Sequence, residues 1–334
     1  MIPNSDINTA AIAIDAALAS IGFFIAINHN SVVGMNDAID SSNILFALSI
    51  EEKMRVKMDE TGIQSFARGY IPMGQEAGLR DKYYEPKEGY SFGSQANNDH
   101  DEPPTPLQCK NVWPKEFPIE NRTVLDGVLI DHTAVVKGIV NAIQFVENNS
   151  SNHHHANSTT IIDYMNITEK GEDISIMRLF HYFPSSSLSS SLSSSLSSSE
   201  TEFEMICSSP HSDWGFLTTI LQDNVGGLQV HYNNEWIDVP VVENGLIVNA
   251  GDYLSIVSRK RYVAPVHRVI CPKSGIRNSF VYFFYPKYDS ELPDISTSAV
   301  NVTDYNTLLS SSITKNEKFG DYVIKKWKGV LKLK

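Results

Sequence analysis

The pentapeptide HSDWG, residues 211–215, decides how the rest of this 334-residue chain is read. In a β-strand, side chains two residues apart leave the same face, so a strand here points His211 and Asp213 together, where both can reach one metal ion. One imidazole and one carboxylate are too few ligands. Downstream, APVHRV (264–269) supplies a second imidazole at His267. Two His and one carboxylate on one face of a metal leave its other positions open, a donor set suited to Fe(II). Arg277 follows ten residues after His267, and Ser279 two later. On a strand this guanidinium and hydroxyl share a face and can grip a carboxylate beside the metal.

Outward from these residues the pattern is one of short strands and close turns. FEMICSSPHSDWGFLTTILQ (203–222) reads as one or two strands. GGLQVHY and EWIDVPVV read as a pair joined through Asn233-Asn234, NGLIVNAGDYLSIVS continues as strand past a Gly251-Asp252 turn, and RYVAPVHRVICP and RNSFVYFFYP complete the set. This predicts a mainly β fold with flanking helices, its core a jelly-roll or barrel whose inward residues line a cavity.

The N-terminal part reads differently. A helix is predicted from Thr9 to Ser20, a buried strand in GFFIAINH (22–29), and a helix over 35–58. SFARGYIPMGQEAGLRDKYYEPKEGYSFG (65–93) reads as irregular, with one short strand, and as the wall of a pocket. Five prolines between Asn97 and Pro118 exclude a regular helix there, whereas Glu120 to Val146 has the apolar spacing of a long one. The expected organisation is an N-terminal helix and strand region (1–150) packed on a catalytic core (161–300), then a C-terminal helix (301–334) with a Lys-rich, solvated end. Two biased segments interrupt it. ENNSSNHHHANSTT (147–160) is expected to be a polar loop, because adjacent His on such a segment lack fixed metal geometry. The Ser-rich stretch 185–200, with SSSL three times, is expected to be a disordered insertion.

Composition narrows the partners. With 42% hydrophobic residues a sizeable core is available, and a formal charge of −12 excludes a bare nucleic-acid backbone as a natural partner. The apolar run Ala10–Ile27 contains Asp15 and Gly22, and no Lys or Arg precedes Lys53, so neither a signal peptide nor a membrane span is expected. Cys109, Cys207 and Cys271, three and widely spaced, suggest no disulfide framework and read as small buried hydrophobes in a reducing setting, cytoplasmic or, if a targeting segment was removed, organellar. A monomer acting on a small molecule is the expectation.

Taken with the HSD, HRV and RNS motifs, the chain resembles the iron- and 2-oxoglutarate-dependent dioxygenases of the isopenicillin N synthase-like superfamily. IGFFIAINH, SIEEKMRVKM, ARGYIPMGQE, EPKEGYSFG, GGLQV, VNAGDYL and FGDYVIKKW also resemble that family's segments, so the likeness covers nearly everything outside the two biased segments. The family's first strand is reduced here to MIPNSDI. The resemblance implies a double-stranded β-helix. It implies Fe(II) held by His211, Asp213 and His267, 2-oxoglutarate held by Arg277 and Ser279, O2 as co-substrate, and ascorbate as a reductant in vitro. In MRLFHYFP, Tyr182 best matches a family tyrosine that helps bind the co-substrate, and the alternative register puts Phe183 there.

The implied activity is oxidation of a C–H bond in a natural-product intermediate by hydroxylation, desaturation or oxidative cyclisation, as in kainoid-synthase-like enzymes. Arg259, Lys260 and Arg261 in one turn, with Arg68, Arg80 and Arg178, suggest an anionic, amino-acid-derived substrate. Trp214, Phe283 and Tyr285 are candidates for its apolar wall. Two other readings stay open: an isopenicillin N synthase-like oxidase in which Arg277 and Ser279 hold the substrate's own carboxylate, and a non-catalytic barrel that binds without turnover.

Overall fold

The computed structural model describes residues 4–58, 67–76, 85–93, 104–149, 161, 174–187, 206–291 and 317–330. Its strands are β1 (Phe23–Ala26), β2 (Gly69–Ile71), β3 (Lys87–Gly93), β4 (Ile176–Tyr182), β5 (Ile206–His211), β6 (Leu217–Gln222), β7 (Leu228–Tyr232), β8 (Glu235–Asp238), β9 (Leu246–Ala250), β10 (His267–Ile270) and β11 (Arg277–Phe284). Its helices are α1 (Asn4–Ser20), α2 (Met35–Ala47), α3 (Ile50–Met54), α4 (Ile119–Asn149), α5 (Asp252–Val257) and α6 (Phe319–Val330). Every named strand pairs antiparallel with its neighbours, in one sheet ordered β1-β9-β6-β11-β4-β3-β2 and a second ordered β5-β10-β7-β8.

The two sheets form the predicted double-stranded β-helix, and its two cores follow from strand alternation. Phe180, Ile220 and Val281 of the larger sheet meet Leu228, Val230 and Val269 of the smaller one between the sheets. Leu179, Leu221, Phe280 and Tyr282, one residue out of phase, point the other way and pack with Leu125, Val136, Val140 and Ile143 of α4. β11 is therefore covered on both sides, which is why RNSFVYFF is apolar at nearly every position rather than at alternate ones.

Several expected elements take a different form. The predicted 35–58 helix is two: the chain breaks at Leu48, and Ser49 restarts it with a capping box in which its hydroxyl accepts from the Glu52 amide while the Glu52 carboxylate accepts from the Ser49 amide. DYLSIVS is not strand but α5, because the chain leaves the sheet after Gly251 and the Asp252 amide turns to donate to the Asp213 carbonyl. The MIPNSDI region is already helical at Asn4, and the pocket-wall stretch supplies two strands, β2 and β3, to the edge of the larger sheet. Asn233 and Asn234 have φ of 50° and 65°, the left-handed pair that a tight hairpin turn requires. The His-rich segment beyond Asn149 and the Ser-rich segment beyond Ser187 lie outside the described residues, as does the 301–316 part of the predicted C-terminal helix.

Cys207 and Cys271 form a disulfide, correcting the reading of both as unpaired. Their separation of 64 residues hid the pairing, since the register of β5 against β10 is what brings their Cα atoms to 4.8 Å. Cys109 is buried and outside any disulfide, its thiol directed at the Pro106 carbonyl. No described helix is long and apolar enough to cross a membrane.

Candidate active site

His211 ends β5 and His267 begins β10, and the two are direct partners across the antiparallel ladder. Asp213 is not on the strand, as first expected, but in the turn beyond it, and α5 fixes that turn. The Asp252 amide donates to the Asp213 carbonyl at 2.7 Å, Tyr253 donates to Gly215 and Gly251 to Phe216. The backbones cross so closely that a Cβ on Gly251 would sit 2.1 Å from the Gly215 oxygen, and one on Gly215 would strike the Tyr285 ring at 2.6 Å. Glycine in HSDWG and in NAGD is thus a packing requirement that seats Asp213.

Asp213 Oδ1 lies 3.8 Å from Nε2 of both histidines, and among the described residues the donor atoms of these three side chains form a cluster within 4.8 Å of one another. Their other atoms are engaged in a way that frees these for a metal. Nδ1 of His211 is 2.7 Å from the Ser209 carbonyl and Nδ1 of His267 is 3.2 Å from that of Pro265. A carbonyl can only accept, so each Nδ1 carries a proton and Nε2 is the atom each ring turns toward Asp213 and a metal. The Asn249 amide donates to Asp213 Oδ2 at 2.7 Å, leaving Oδ1 toward the imidazoles. Burial opposes ionisation of Asp213, but His267, His211 and the Asn249 hydrogen bond together hold its carboxyl below the usual range. Burial, reinforced by His211, pushes His267 down to about 4, so its ring is neutral and able to ligate at neutral pH. The orienting hydrogen bonds and the neutral His267 ring fit a divalent metal.

A cavity of about 350 Å3 opens on this triad. Arg277, Ser279, Val281 and Phe283 of β11 face it at every second position, as do Arg178, Phe180 and Tyr182 of β4. Arg277 is buried. Its Nε donates to the Gly226 carbonyl at 2.6 Å and one Nη to Gln222 Oε1 at 3.0 Å, while its guanidinium lies 4.8 Å from the Tyr182 ring. Nη1 is buried without a hydrogen-bond partner, and both partners of the other nitrogens are uncharged. A buried cation with an unmatched donor beside the triad fits an anionic co-substrate. Tyr182 pairs with Arg277 across the strands, whereas Phe183 lies past the end of β4 and meets the His181 ring edge to face.

The other candidates divide. Trp214, Phe283, Tyr285 and Arg178 line the cavity. Arg68 does not. It is buried behind the sheet and donates to the carbonyls of Ala67 and Leu107. The Arg259–Arg261 turn also lies elsewhere, since α5, expected to be strand, carries it away from the cavity, and Arg261 pairs with Asp15 at 2.6 Å. Arg80 lies outside the described residues. Sequence reasoning missed Glu76, Lys87, Asp252 and Trp327, all of which line the cavity. Trp327 carried a readable signal in the apolar face of α6; Glu76, in an irregular segment, carried none.

A double-stranded β-helix with a His-Asp-His face and a buried arginine beside it defines a metal-dependent oxygenase. Comparison with known proteins agrees. Residues 175–286 match the model of the 2OG-Fe(II) oxygenase superfamily, and residues 3–116 match that of the N-terminal region of the non-haem dioxygenases in morphine synthesis. A probable iron/ascorbate oxidoreductase of Dictyostelium discoideum is 30% identical over 285 residues, covering 83% of this chain and 75% of that protein. A tomato (Solanum lycopersicum) 1-aminocyclopropane-1-carboxylate oxidase homolog is 46% identical over 74 residues, 22% of this chain and 20% of its own. Among solved structures, a full-length Neurospora crassa protein in complex with alpha-KG and thymine superposes with a TM-score of 0.70 at 22% identity, over 98% of this chain and 92% of that one. The chain belongs to the 2OG-Fe(II) oxygenase superfamily, whose cofactors are Fe(II) and 2-oxoglutarate.

Proposed function

We propose that this protein couples 2-oxoglutarate and O2 to oxidation of a C–H bond in a small molecule held in the cavity of about 350 Å3. The observation that carries the reading is the buried Arg277, with an unmatched nitrogen and neutral partners, in the same cavity as the triad. Fe(II) held by His211, Asp213 and His267 supplies the oxygen-activating redox chemistry. The protein's own side chains do the positioning. Arg277 and Ser279 hold the distal carboxylate of 2-oxoglutarate, Tyr182 lies against the guanidinium and fixes its plane, and the apolar lining of Ile220, Leu228, Val269 and Val281 excludes water.

The cavity is near the lower end of the roughly 300–1,000 Å3 range of ligand pockets, so with the co-substrate inside it the remaining space suits a small molecule. Trp214, Phe283 and Tyr285 give that space an apolar wall. An amino-acid-derived natural-product intermediate, with hydroxylation, desaturation or ring closure as the outcome, is the finer reading. Of the described arginines read as favouring an anionic substrate, Arg178 alone lines the cavity, and the Glu76 carboxylate already pairs with it, so the anionic part of that reading loses its support.

The test is succinate release from purified Fe(II)-loaded protein with 2-oxoglutarate and a substrate panel, with product masses. Gain of oxygen reports hydroxylation, and loss of two hydrogens reports desaturation or ring closure. Arg277→Gln is expected to weaken 2-oxoglutarate binding by about 2 kcal/mol or more, roughly thirtyfold, because the co-substrate's buried carboxylate loses its partner. Full product formation without succinate would instead favour an oxidase that grips the substrate's carboxylate with Arg277.

A further inference from the structure

Arg178 lines the cavity about four residues along β4 from Tyr182, roughly 13 Å at strand rise, so it marks the end away from the Arg277 anchor. It differs from Arg277 in its company. The Glu76 carboxylate meets it fork to fork, Nη1 to Oε1 at 2.8 Å and Nη2 to Oε2 at 2.5 Å. The rings of Trp327 and Phe180 lie 4.4 and 4.9 Å from its guanidinium carbon, which fixes the plane of the pair. Burial acts against the Glu76 charge, yet Arg178 and Lys87 hold that carboxyl below the usual range, so both members of the pair are ionised. Glu76 and Arg178 line the same cavity as His211, Asp213 and His267, so the pair and the triad share one chamber. The neighbouring cation, Lys87, is matched in the same way by Glu85 at 2.6 Å.

Resting on the oxygenase reading above, we propose that the Arg178–Glu76 pair is the substrate-recognition element, and that it selects an uncharged amide-type edge, N–H beside C=O, on a flat apolar molecule. A free arginine would select a carboxylate. This one is already neutralised, and a second carboxylate brought to it would face Glu76 as well. What the pair still offers is one donor and one acceptor: Nε of Arg178 is buried without a hydrogen-bond partner, and Glu76 retains lone pairs beyond the two the fork uses. A C=O taking the Arg178 side and an N–H giving to the Glu76 side satisfy both, and leaving either buried group unmet costs about 1–3 kcal/mol. Trp214, Trp327, Phe283 and Tyr285 supply aromatic surface for a flat ring beside them. Trp327 acts here as a positioning residue brought in by α6.

Benzamide and benzoate, equal in shape and opposite in charge, are the probes. Each is titrated against protein loaded with Mn(II) and 2-oxoglutarate, with quenching of tryptophan fluorescence as the readout. Benzamide is expected to bind at least tenfold tighter than benzoate. Glu76→Gln, nearly isosteric, removes the neutralising charge and is expected to shift that ratio at least tenfold toward benzoate. Equal affinity for the two probes, preference for benzoate, binding of neither, or an unchanged ratio in Glu76→Gln overturns the proposal. The comparison of probes in the unaltered protein needs no variant to fold. Titration with 2-oxoglutarate alone separates the underlying reading: if the unaltered protein does not bind it, the oxygenase assignment fails, whereas bound 2-oxoglutarate with no amide preference sinks the recognition element alone.

Discussion

Single residues show how burial sets the chemistry each side chain can perform. His132 on α4 is buried behind the larger sheet, with Nδ1 2.7 Å from Thr219 Oγ1, and desolvation pushes its pKa down to about 3. The unfolded chain regains an ordinary histidine near 6.5, so between these values it binds the proton that the folded protein refuses. Stability from this group is therefore fully present above pH 6.5 and falls as the pH drops toward 3. By pH 5 the loss is about 2 kcal/mol. His132→Gln removes the titration, and urea unfolding at pH 7 and pH 5 is expected to show a pH-dependent loss smaller by about that amount than in the unaltered protein. An equal loss in both would mean that the site admits the charged ring. His267 shares the same depression for a different use, since a neutral ring there is a ligand rather than a liability. That His211, Asp213 and His267 come together was legible from residue type, order and spacing, and so was the place of Arg277 and Ser279 in the same cavity. Glu76 was not: its role depends on which strand of the larger sheet its loop meets, and no local pattern encodes that.

Elements fail to be legible where tertiary contacts override local pattern. DYLSIV has the apolar content of a strand, yet it forms α5 because the Gly251–Gly215 crossing turns the chain out of the sheet and the Asp213 carbonyl takes the Asp252 amide. That override moved the Arg259–Arg261 turn away from the cavity and with it most of the argument for an anionic substrate. The strands were easier, since alternation and the Asn233-Asn234 turn are local signals. Pairing between distant strands was not readable, and the disulfide shows its consequence. Cys207 lies four residues before His211 and Cys271 four after His267, so the bond staples β5 to β10, the strands that bring the two imidazoles together. Closing a 64-residue separation in the unfolded chain corresponds to about 4 kcal/mol by loop entropy. Thiol titration in denaturant without reductant is expected to find one reactive thiol, Cys109, rising to three after reduction. Reduction is also expected to lower the thermal midpoint by several degrees. Three thiols before reduction would show that the strands hold the sulfurs close without bonding them.

At the scale of the molecule, the metal face ties together parts of the fold that are distant in sequence: the end of β5, the turn seated by α5, and the start of β10. The cost of building it is a buried carboxylate. Asp213 is 4% exposed, and without a metal its charge has beside it the His267 and His211 rings and one amide hydrogen bond. Such a site is expected to trade apo stability for function. Binding a divalent ion relieves that burden in the folded state alone, and at a free concentration of 100 times Kd the linkage amounts to about 2.7 kcal/mol. Mn(II), which does not turn over in this assay, is therefore expected to raise the thermal midpoint of the unaltered protein by a few degrees, and EDTA to reverse the gain. Asp213→Asn keeps the shape and removes the charge. Its metal-free form is expected to melt at or above the midpoint of the metal-free unaltered protein, and Mn(II) to shift it little. A variant that melts well below the metal-free parent yet still gains the full Mn(II) shift would mean that Asp213 supports the fold and that the ion binds elsewhere.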